Sequence, residues 1–522
     1  MQRMLDESRS RAWPADVTTS AFRILFFITV GVGGIVFWLA PHPPMNDLPQ
    51  HAAQIATLHD LLLGQSPWDR LLRINLFTPY LLGYVLAVGL SFVMPVAAAL
   101  KVLLTLSFYG FVAAYVALRK HFGGDERLDW LCMPGFFGFA YAYGFFSYLV
   151  AAPIGMFLLV TARDYAEQPS ARRGTVLLLA NIALFFCHGL MFVFINAIGG
   201  MFLLVRHGRN VRRLARAIWP YALLAALCGV YALSHREVDL APMYPFSVLW
   251  NAAPWVRLFC AIIYPWGIAA QMWMVPVGAL LYAAPFFMGA RLTRNRMAFV
   301  PLAVVAIVWF CVPAFAMNTF FLFQRFAMFI FPFYALIFRD VVKGEVAQRS
   351  VNARALVSQA LLAAVCIGFV GVQGARAVRF AEESADFDAV TAAVEPAQRG
   401  LMLVFDKRSP AADNPDLYDN FALWYQAEHR GLVDFNAAWF PPQIVRYRLD
   451  RMPAVGPSDV APAPLSEHFD WRRYQGRSYR YFFVRHTSPI PEGLFANPDC
   501  RVVLLKSAGT WSLYERQSCR GG

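Results

Sequence analysis

Long apolar runs alternate with short basic clusters over residues 1–375 of this 522-residue chain. Runs such as residues 21–40 and 299–317 contain about twenty residues that are almost free of charge. An α-helix rises about 1.5 Å per residue, so runs of this length can cross about 30 Å of hydrocarbon. The pattern therefore predicts a bundle of transmembrane helices.

Basic residues are concentrated between the apolar runs, and the N-terminal segment carries three further arginines. Positively charged loops stay on the cytoplasmic side, so an even number of crossings is expected between neighbouring clusters. The clusters are Arg119/Lys120/Arg127, Arg163/Arg172/Arg173, Arg206/Arg209/Arg212/Arg213/Arg216, Arg291/Arg294/Arg296 and Arg339/Lys343/Arg349/Arg354, after Arg3, Arg9 and Arg11. The first apolar run is too long for the core of a typical signal peptide and predicts an uncleaved span after a cytoplasmic N-terminus.

One apolar stretch, residues 77–93, must not cross the membrane if this parity holds. It contains Pro79, Gly83 and Gly89, which weaken a helix, and we expect it to lie in the outer interface or to re-enter the membrane. The other stretches give about eleven spans, at residues 21–40, 96–118, 128–147, 149–160, 176–190, 192–205, 218–233, 271–287, 299–317, 326–338 and 356–372. The prediction is a helical, multi-pass protein of a bacterial inner membrane, with its C-terminus in the periplasm.

Composition agrees with lipid as the main solvent of the chain. Hydrophobic residues make up 58% and charged residues 15% of the sequence, whereas a soluble domain carries about a quarter charged residues. The formal net charge of +13 does not indicate nucleic-acid binding, because the basic residues form short clusters rather than one stripe. Membrane lipids are the expected surroundings.

Two parts of the chain are predicted to lie outside the membrane. Residues 41–94 form a long first periplasmic loop, and from Leu48 the apolar residues recur at steps of three and four, as in an amphipathic helix suited to the membrane interface. Residues 376–522 interleave charged residues and proline with short strand-like runs, which predicts a soluble α/β or α+β domain after a transmembrane domain of residues 1–375.

The last two cysteines, Cys500 and Cys519, flank an apparent β-hairpin near the C-terminus. Folding the hairpin brings the sulfurs close together, although simple register is off by about two residues and requires a bulge. We predict a disulfide, which suits the periplasm; two unpaired thiols are the alternative.

The first outer loop also carries the main candidate for chemistry. Asp47 lies just beyond the first span, where a carboxylate can serve as a general base, and His51 follows four residues later on the same helical face. We expect His51 to orient Asp47 or to contact substrate. The alternatives are that Asp47 only caps a helix, with Pro49 and Gln50 in its first turn, and that His51 is merely solvated.

Further candidates lie near the outer ends of two later spans. His188 lies near the end of one predicted span, and Arg325 opens another. A polar group at membrane depth is costly, so we expect a functional role for both residues. A guanidinium can hold a phosphate through two hydrogen bonds, so Arg325 is the better candidate. An interfacial anchor is the alternative for this arginine.

This arrangement resembles the GT-C superfamily of integral-membrane glycosyltransferases. The local signatures of the likeness are Asn46-Asp47 with Gln50-His51, and the segment from Gln324-Arg325 to Pro332. The resemblance implies an inverting transfer of sugar from a polyprenyl-phosphate donor to a periplasmic glycan, lipid or protein.

The same likeness assigns roles to individual residues. Asp47 would be the catalytic base and Arg325 a lipid-phosphate ligand. Beside them we predict His51 as a second catalytic residue, and Gln324, His188 and Gln50 as further substrate or lipid-phosphate ligands.

One feature departs from that likeness. Some members bind a metal through a second acidic motif in the next outer loop, but residues 141–148 contain no carboxylate. We therefore expect no cofactor and a metal-independent reaction. A transporter or flippase for a lipid-linked glycan, or a non-catalytic subunit for envelope assembly, is the alternative function. A transporter would show inverted repeats, and we find no clear repeat.

Overall fold

The structure is a computed structural model that describes residues 15–235, 243–250, 252–268, 271–339 and 353–520, with side chains from residue 20. Some residues used in the topology prediction lie outside the described residues: Arg3, Arg9, Arg11, Lys343 and Arg349.

Helices dominate the first two thirds of the chain and strands the last third. The α-helices are α1 (Ala15–Ile35), α2 (Leu48–Leu62), α3 (Leu81–Ser91), α4 (Val96–Phe122), α5 (Cys132–Phe136), α6 (Phe139–Tyr143), α7 (Phe146–Glu167), α8 (Ala171–Cys187), α9 (Gly189–His207), α10 (Val211–Ala217), α11 (Trp219–Ser234), α12 (Pro254–Ile263), α13 (Met274–Phe287), α14 (Val300–Cys311), α15 (Ala327–Leu336), α16 (Ala353–Thr391) and α17 (Leu423–His429). The strands are β1 (Leu72–Ile74), β2 (Val248–Leu249), β3 (Arg291–Leu292), β4 (Phe315–Ala316), β5 (Thr319–Phe320), β6 (Phe338–Arg339), β7 (Arg399–Val404), β8 (Leu432–Val433), β9 (Val445–Tyr447), β10 (Tyr481–Arg485), β11 (Cys500–Ala508) and β12 (Trp511–Cys519).

Several helices are long and apolar enough to cross a membrane. Within the described ranges five helices have this length and composition, and a sixth span results if α10 and α11, bent by 51°, are taken together. The five lie at Ser20–Trp38, Val96–Phe122, Phe146–Glu167, Gly189–His207 and Ala353–Thr391. The fold is that of a helical, multi-pass membrane protein with a sheet-containing C-terminal region.

The predicted span at residues 128–147 is wrong as a single helix. The chain forms a 3-10 helix at Glu126–Leu131 and then the one-turn helices α5 and α6 before α7 begins at Phe146. The break after α6 has a steric reason: Gly144 has φ +85°, and a Cβ there would lie 2.6 Å from the backbone nitrogen of Asp47. The chain turns at this position against the first outer loop instead of continuing through a span.

The C-terminal region contains a five-stranded sheet in the order β11-β12-β10-β7-β8. Strand β10 pairs parallel with β7 and antiparallel with β12, and β7 pairs parallel with β8. The long helix α16 runs without a break through residue 375, where the sequence predicted the domain boundary, and its last turns contact β11 and β12. The sheet is therefore tied to a membrane helix by continuous backbone.

Cys500 and Cys519 face each other across β11 and β12 and form a disulfide. The strand register shifts between Arg501 and Val502 and again between Leu504 and Lys506. The two shifts skip one residue on each strand, Gln517 and Leu505, and so cancel. The turn lies at Gly509 and Thr510, and simple antiparallel pairing from Ala508 and Trp511 already places Cys500 opposite Cys519, so the predicted net offset is wrong.

Helix α2 of the first outer loop is enclosed by protein. Its apolar residues Leu48, Ala52 and Ile55 are fully buried, and its neighbours are α3, α4 and α17. Helix α17 covers the polar side of α2, and strand β1 of the loop pairs with β9 of the C-terminal region. The sequence predicted a helix at the membrane interface; the helix is present, but the apolar stripe packs inside the protein.

Candidate active site

A cavity of about 620 Å³ lies between the first outer loop, the ends of several membrane helices and the C-terminal region. Its lining combines ionisable, hydroxyl and aromatic side chains from distant parts of the chain. Its polar residues include Asn46, Asp47, Gln50, His51, Tyr80, His188, Arg325, Lys407, Asp419 and Asn420. Five of the six residues predicted from the sequence as catalytic or substrate-binding line this one cavity.

Asp47 precedes the first turn of α2 but does not cap it with its side chain. Its backbone N–H donates to the carbonyl of Tyr143 at 2.9 Å, at the turn where the predicted span is broken. Its carboxylate Oδ1 accepts a hydrogen bond from Asn420 Nδ2 at 2.9 Å. The capping alternative for Asp47 is therefore wrong, because the carboxylate is directed at the C-terminal region and not at the α2 backbone.

The surroundings of Asp47 favour its neutral form more than water does. Burial raises the pKa of Asp47 to about 7, against the opposing attraction of the Arg325 guanidinium. The charge of Asp419 raises it further, while the hydrogen bond from Asn420 lowers it. A carboxyl group with a pKa near neutrality can accept and release a proton at physiological pH, which is the requirement for a general base.

His51 does not orient Asp47 through its side chain, and this part of the prediction is wrong. Its Nδ1 lies 2.7 Å from the Tyr84 hydroxyl, which donates to Gln443 Oε1 at 2.8 Å. Because the Tyr84 proton goes to Gln443, His51 donates through Nδ1 and its Nε2 is an acceptor. Burial, with a smaller effect of Arg325, lowers the pKa of His51 to about 3, so its ring is neutral at physiological pH.

Arg325 lies on a 3-10 helix, Gln324–Phe326, that follows the short hairpin of β4 and β5. Two contacts hold its side chain. Nη2 donates a hydrogen bond to the carbonyl of Phe320 at 2.9 Å, and the guanidinium stacks 3.9 Å above the Phe145 ring. Within the described part of the chain no carboxylate lies within ion-pairing distance, and Nε has no hydrogen-bond partner. A buried guanidinium with unused donors is suited to an anionic ligand.

The other predicted residues fall into two groups. His188 lines the cavity, but its Nδ1 accepts a hydrogen bond from the backbone N–H of Met191 and so caps α9. Gln50 also lines the cavity, with both ends of its amide bonded to protein. Gln324 is buried and does not belong to the cavity lining.

The C-terminal region contributes residues that the sequence interpretation missed. Asn420 contacts Asp47, and the Lys407 Nζ lies 2.7 Å from Asp416 and 3.5 Å from Asp419. Burial raises the pKa of Asp419 to about 6, while Lys407 opposes the rise. The only signal in the sequence is the run of Asp and Asn residues at 413–420, which resembles an ordinary polar loop.

In the described residues, no group of three or more His, Cys, Asp or Glu side chains is arranged to hold a metal ion.

No protein-family model matches the chain, and a comparison with curated proteins finds no match either.

Proposed function

We propose that the protein is a membrane glycosyltransferase that transfers a sugar from a polyprenyl-phosphate donor to a periplasmic glycan, lipid or protein acceptor. The observation that carries the proposal is that Asp47 and Arg325, which are 278 positions apart in sequence (325 − 47), line the same cavity. One is a carboxylate whose pKa is near neutrality, and the other is a cation without an acidic partner among the described side chains.

Each group has a role in a single displacement at the anomeric carbon. The acceptor oxygen forms a bond to that carbon as the bond from the carbon to the phosphate oxygen breaks, which inverts the configuration. The acceptor proton passes to Asp47, and the electron pair of the broken bond leaves with the lipid phosphate. Arg325 stabilises the departing negative charge, since its buried guanidinium is held in place before the reaction by Phe320 and Phe145.

The size and lining of the cavity suit two polar substrates that meet at Asp47. A volume of about 620 Å³ falls within the range of sites that enclose small-molecule ligands. Aromatic rings, among them Tyr244, Trp439 and Phe440, line its walls. All three rings give apolar contact area, and the Tyr244 hydroxyl and the Trp439 indole N–H can also bond to the hydroxyl groups of a sugar.

The location of the protein forms part of this proposal. It would cross the bacterial inner membrane about eleven times, with the shorter apolar helices α13 and α14 among the crossings, while α3 would lie in the outer interface or re-enter the membrane. The N-terminus would be cytoplasmic, and the cavity and C-terminal region would be periplasmic. A lipid-linked donor then reaches the cavity from the bilayer.

Purified protein in detergent or liposomes, supplied with a panel of polyprenyl-phosphate sugars, tests the function. We expect release of polyprenyl phosphate from at least one donor, and loss of that release in the Asp47→Asn variant. Asp60→Asn is the matched control, because Asp60 lies on the same helix, pairs with Arg430 and does not line the cavity. Movement of intact lipid-linked glycan across liposomes, without any transfer, would favour the transporter alternative.

A further inference from the structure

Asn420 connects the proposed base to the C-terminal region through a chain of hydrogen bonds whose direction is fixed. The backbone N–H of Ala437 donates to Gln50 Oε1 at 2.6 Å, and Gln50 Nε2 donates to Asn420 Oδ1 at 2.8 Å. Asn420 Nδ2 then donates to Asp47 Oδ1 at 2.9 Å. A backbone N–H can only donate, so the first link sets the orientation of both amides.

The opposite orientation of the Asn420 amide would be unfavourable at both ends. Its oxygen would face the carboxylate of Asp47, and its nitrogen would face the Gln50 Nε2 donor. Asn420 Nδ2 also reaches the side-chain oxygen of Asn46 at 3.3 Å, so both of its N–H groups are directed at the start of α2. Hydrogen bonds in such a chain polarise one another, which strengthens the last donor.

The segment that carries Asn420 is attached to its surroundings on both sides. Asn414 donates to the carbonyl of Ala142, next to the turn that holds the Asp47 backbone. Lys407 pairs with Asp416 and Asp419, directly before Asn420. These contacts hold the C-terminal region in a position where the Asn420 amide donates to the Asp47 carboxylate.

We infer that Asn420 is a positioning residue that orients the Asp47 carboxylate and favours its ionised form, so that the C-terminal region completes the catalytic centre. The catalytic consequence of this inference rests on the proposed function. Asn420 bonds to Oδ1 of Asp47, and no hydrogen bond to Oδ2 is found among the described residues, so Oδ2 can receive a proton from an acceptor hydroxyl.

The pH dependence of the transfer rate tests the role of Asn420. In Asn420→Ala the carboxylate loses a hydrogen-bond donor. We expect the midpoint of the acid limb of the pH–rate profile to shift to higher pH by about one unit. The rate should fall about fivefold near pH 7 and largely recover at high pH. Asn420→Asp, which keeps the size of the side chain but places a like charge beside Asp47, should move the profile further.

Asn497→Ala is the matched control. Asn497 also makes three hydrogen bonds, to Phe495, Asp499 and Cys500, and lies outside the cavity. Its profile should match that of the wild type. A rate in both Asn420 variants that falls equally at every pH, with an unchanged midpoint, would overturn the inference and leave Asn420 with a structural role alone.

Infrared titration separates this inference from the proposed function. The carboxyl band of Asp47 is identified by its absence in Asp47→Asn and is followed with pH in the wild type and in the Asn420 variants. A midpoint that moves upward in Asn420→Ala supports the inference even if no sugar donor is accepted. An unmoved midpoint in both Asn420 variants would contradict it, whatever the wild type catalyses.

Discussion

Gln54 of helix α2 bonds to both backbone polar groups of Val445 in the C-terminal region. Its Nε2 donates to the Val445 carbonyl at 3.2 Å, and its Oε1 accepts the Val445 N–H at 2.9 Å. All of these atoms are buried, so either backbone group would lack a partner without Gln54. The first outer loop therefore holds the C-terminal region as part of its own hydrogen-bond network.

Replacing Gln54 by Ala should loosen the C-terminal region above the cavity. The change removes two buried hydrogen bonds, each worth about 1 kcal/mol, and leaves two backbone groups unsatisfied. Hydrogen exchange at strand β9 should become faster, while exchange at β10 stays unchanged. Gln65→Ala, at an exposed position on the same loop, is the control. Unaltered exchange at β9 would show that Gln54 does not secure this contact.

The raised pKa of Asp47 predicts a stability effect with a definite sign. A carboxyl whose pKa rises from 3.8 to about 7 binds its proton more tightly in the folded state, so folding loses stability as the pH rises between these values. Above pH 7 the loss of folding free energy is at most about 4 kcal/mol. Water in the cavity that solvates the carboxylate makes this loss smaller.

Asp47→Asn should therefore stabilise the protein, and more so at alkaline pH. Asn keeps an oxygen that accepts the Asn420 hydrogen bond but carries no charge. Thermal unfolding in detergent should show a gain over the wild type at about pH 8 that shrinks towards about pH 4. A gain that is the same at both pH values, or a loss of stability at pH 8, would contradict the buried position of the carboxyl.

Arg325 should act on the phosphate of the donor. Arg325→Lys keeps a positive charge but loses the planar fork and the stacking on Phe145, so donor KM should rise about tenfold or more. Arg325→Gln should lower kcat as well, because no cation remains to stabilise the leaving phosphate. Arg448→Gln, at an exposed arginine whose side chain bonds to the carbonyl of Asp69, is the control. Unchanged donor KM in both Arg325 variants would exclude this role.

The disulfide between Cys500 and Cys519 should be present in protein isolated from membranes without reductant. Mass spectrometry of unreduced protein should detect the linked peptides, and Cys519→Ser should abolish them. Since the bridge closes a loop with a separation of 19 residues, its loss should cost about 3 kcal/mol. Recovery of both thiols in the free form would contradict the bridge and count against the proposed periplasmic location.

The elements that depend on local periodicity could be predicted from the sequence. Helix α2 begins at Leu48 and extends to Leu62, as the spacing of its apolar residues indicates. The C-terminal hairpin and its facing cysteines could also be predicted, and the structure places the turn at Gly509 and Thr510. These features arise from residues close together in the chain, where pattern and structure are directly linked.

The parts that depend on tertiary contact could not be predicted. The break at Gly144 results from the approach of the Asp47 backbone, and nothing near Gly144 in the sequence indicates that approach. The pairing of Asn420 with Asp47 joins residues that are 373 positions apart. His51 shares a helical face with Asp47, yet its ring bonds to Tyr84 because a separate helix presents a hydroxyl there.

The pH dependence of sugar transfer by the wild type and by Asp47→Asn tests the central claim most directly. The wild-type rate should rise with pH and reach half its maximum near pH 7, because the base must be ionised and burial raises the pKa of Asp47 to about 7. Asp47→Asn should be at least about a hundredfold slower at every pH. Full activity in Asp47→Asn, or a wild-type rate that does not change with pH in this range, would contradict the account.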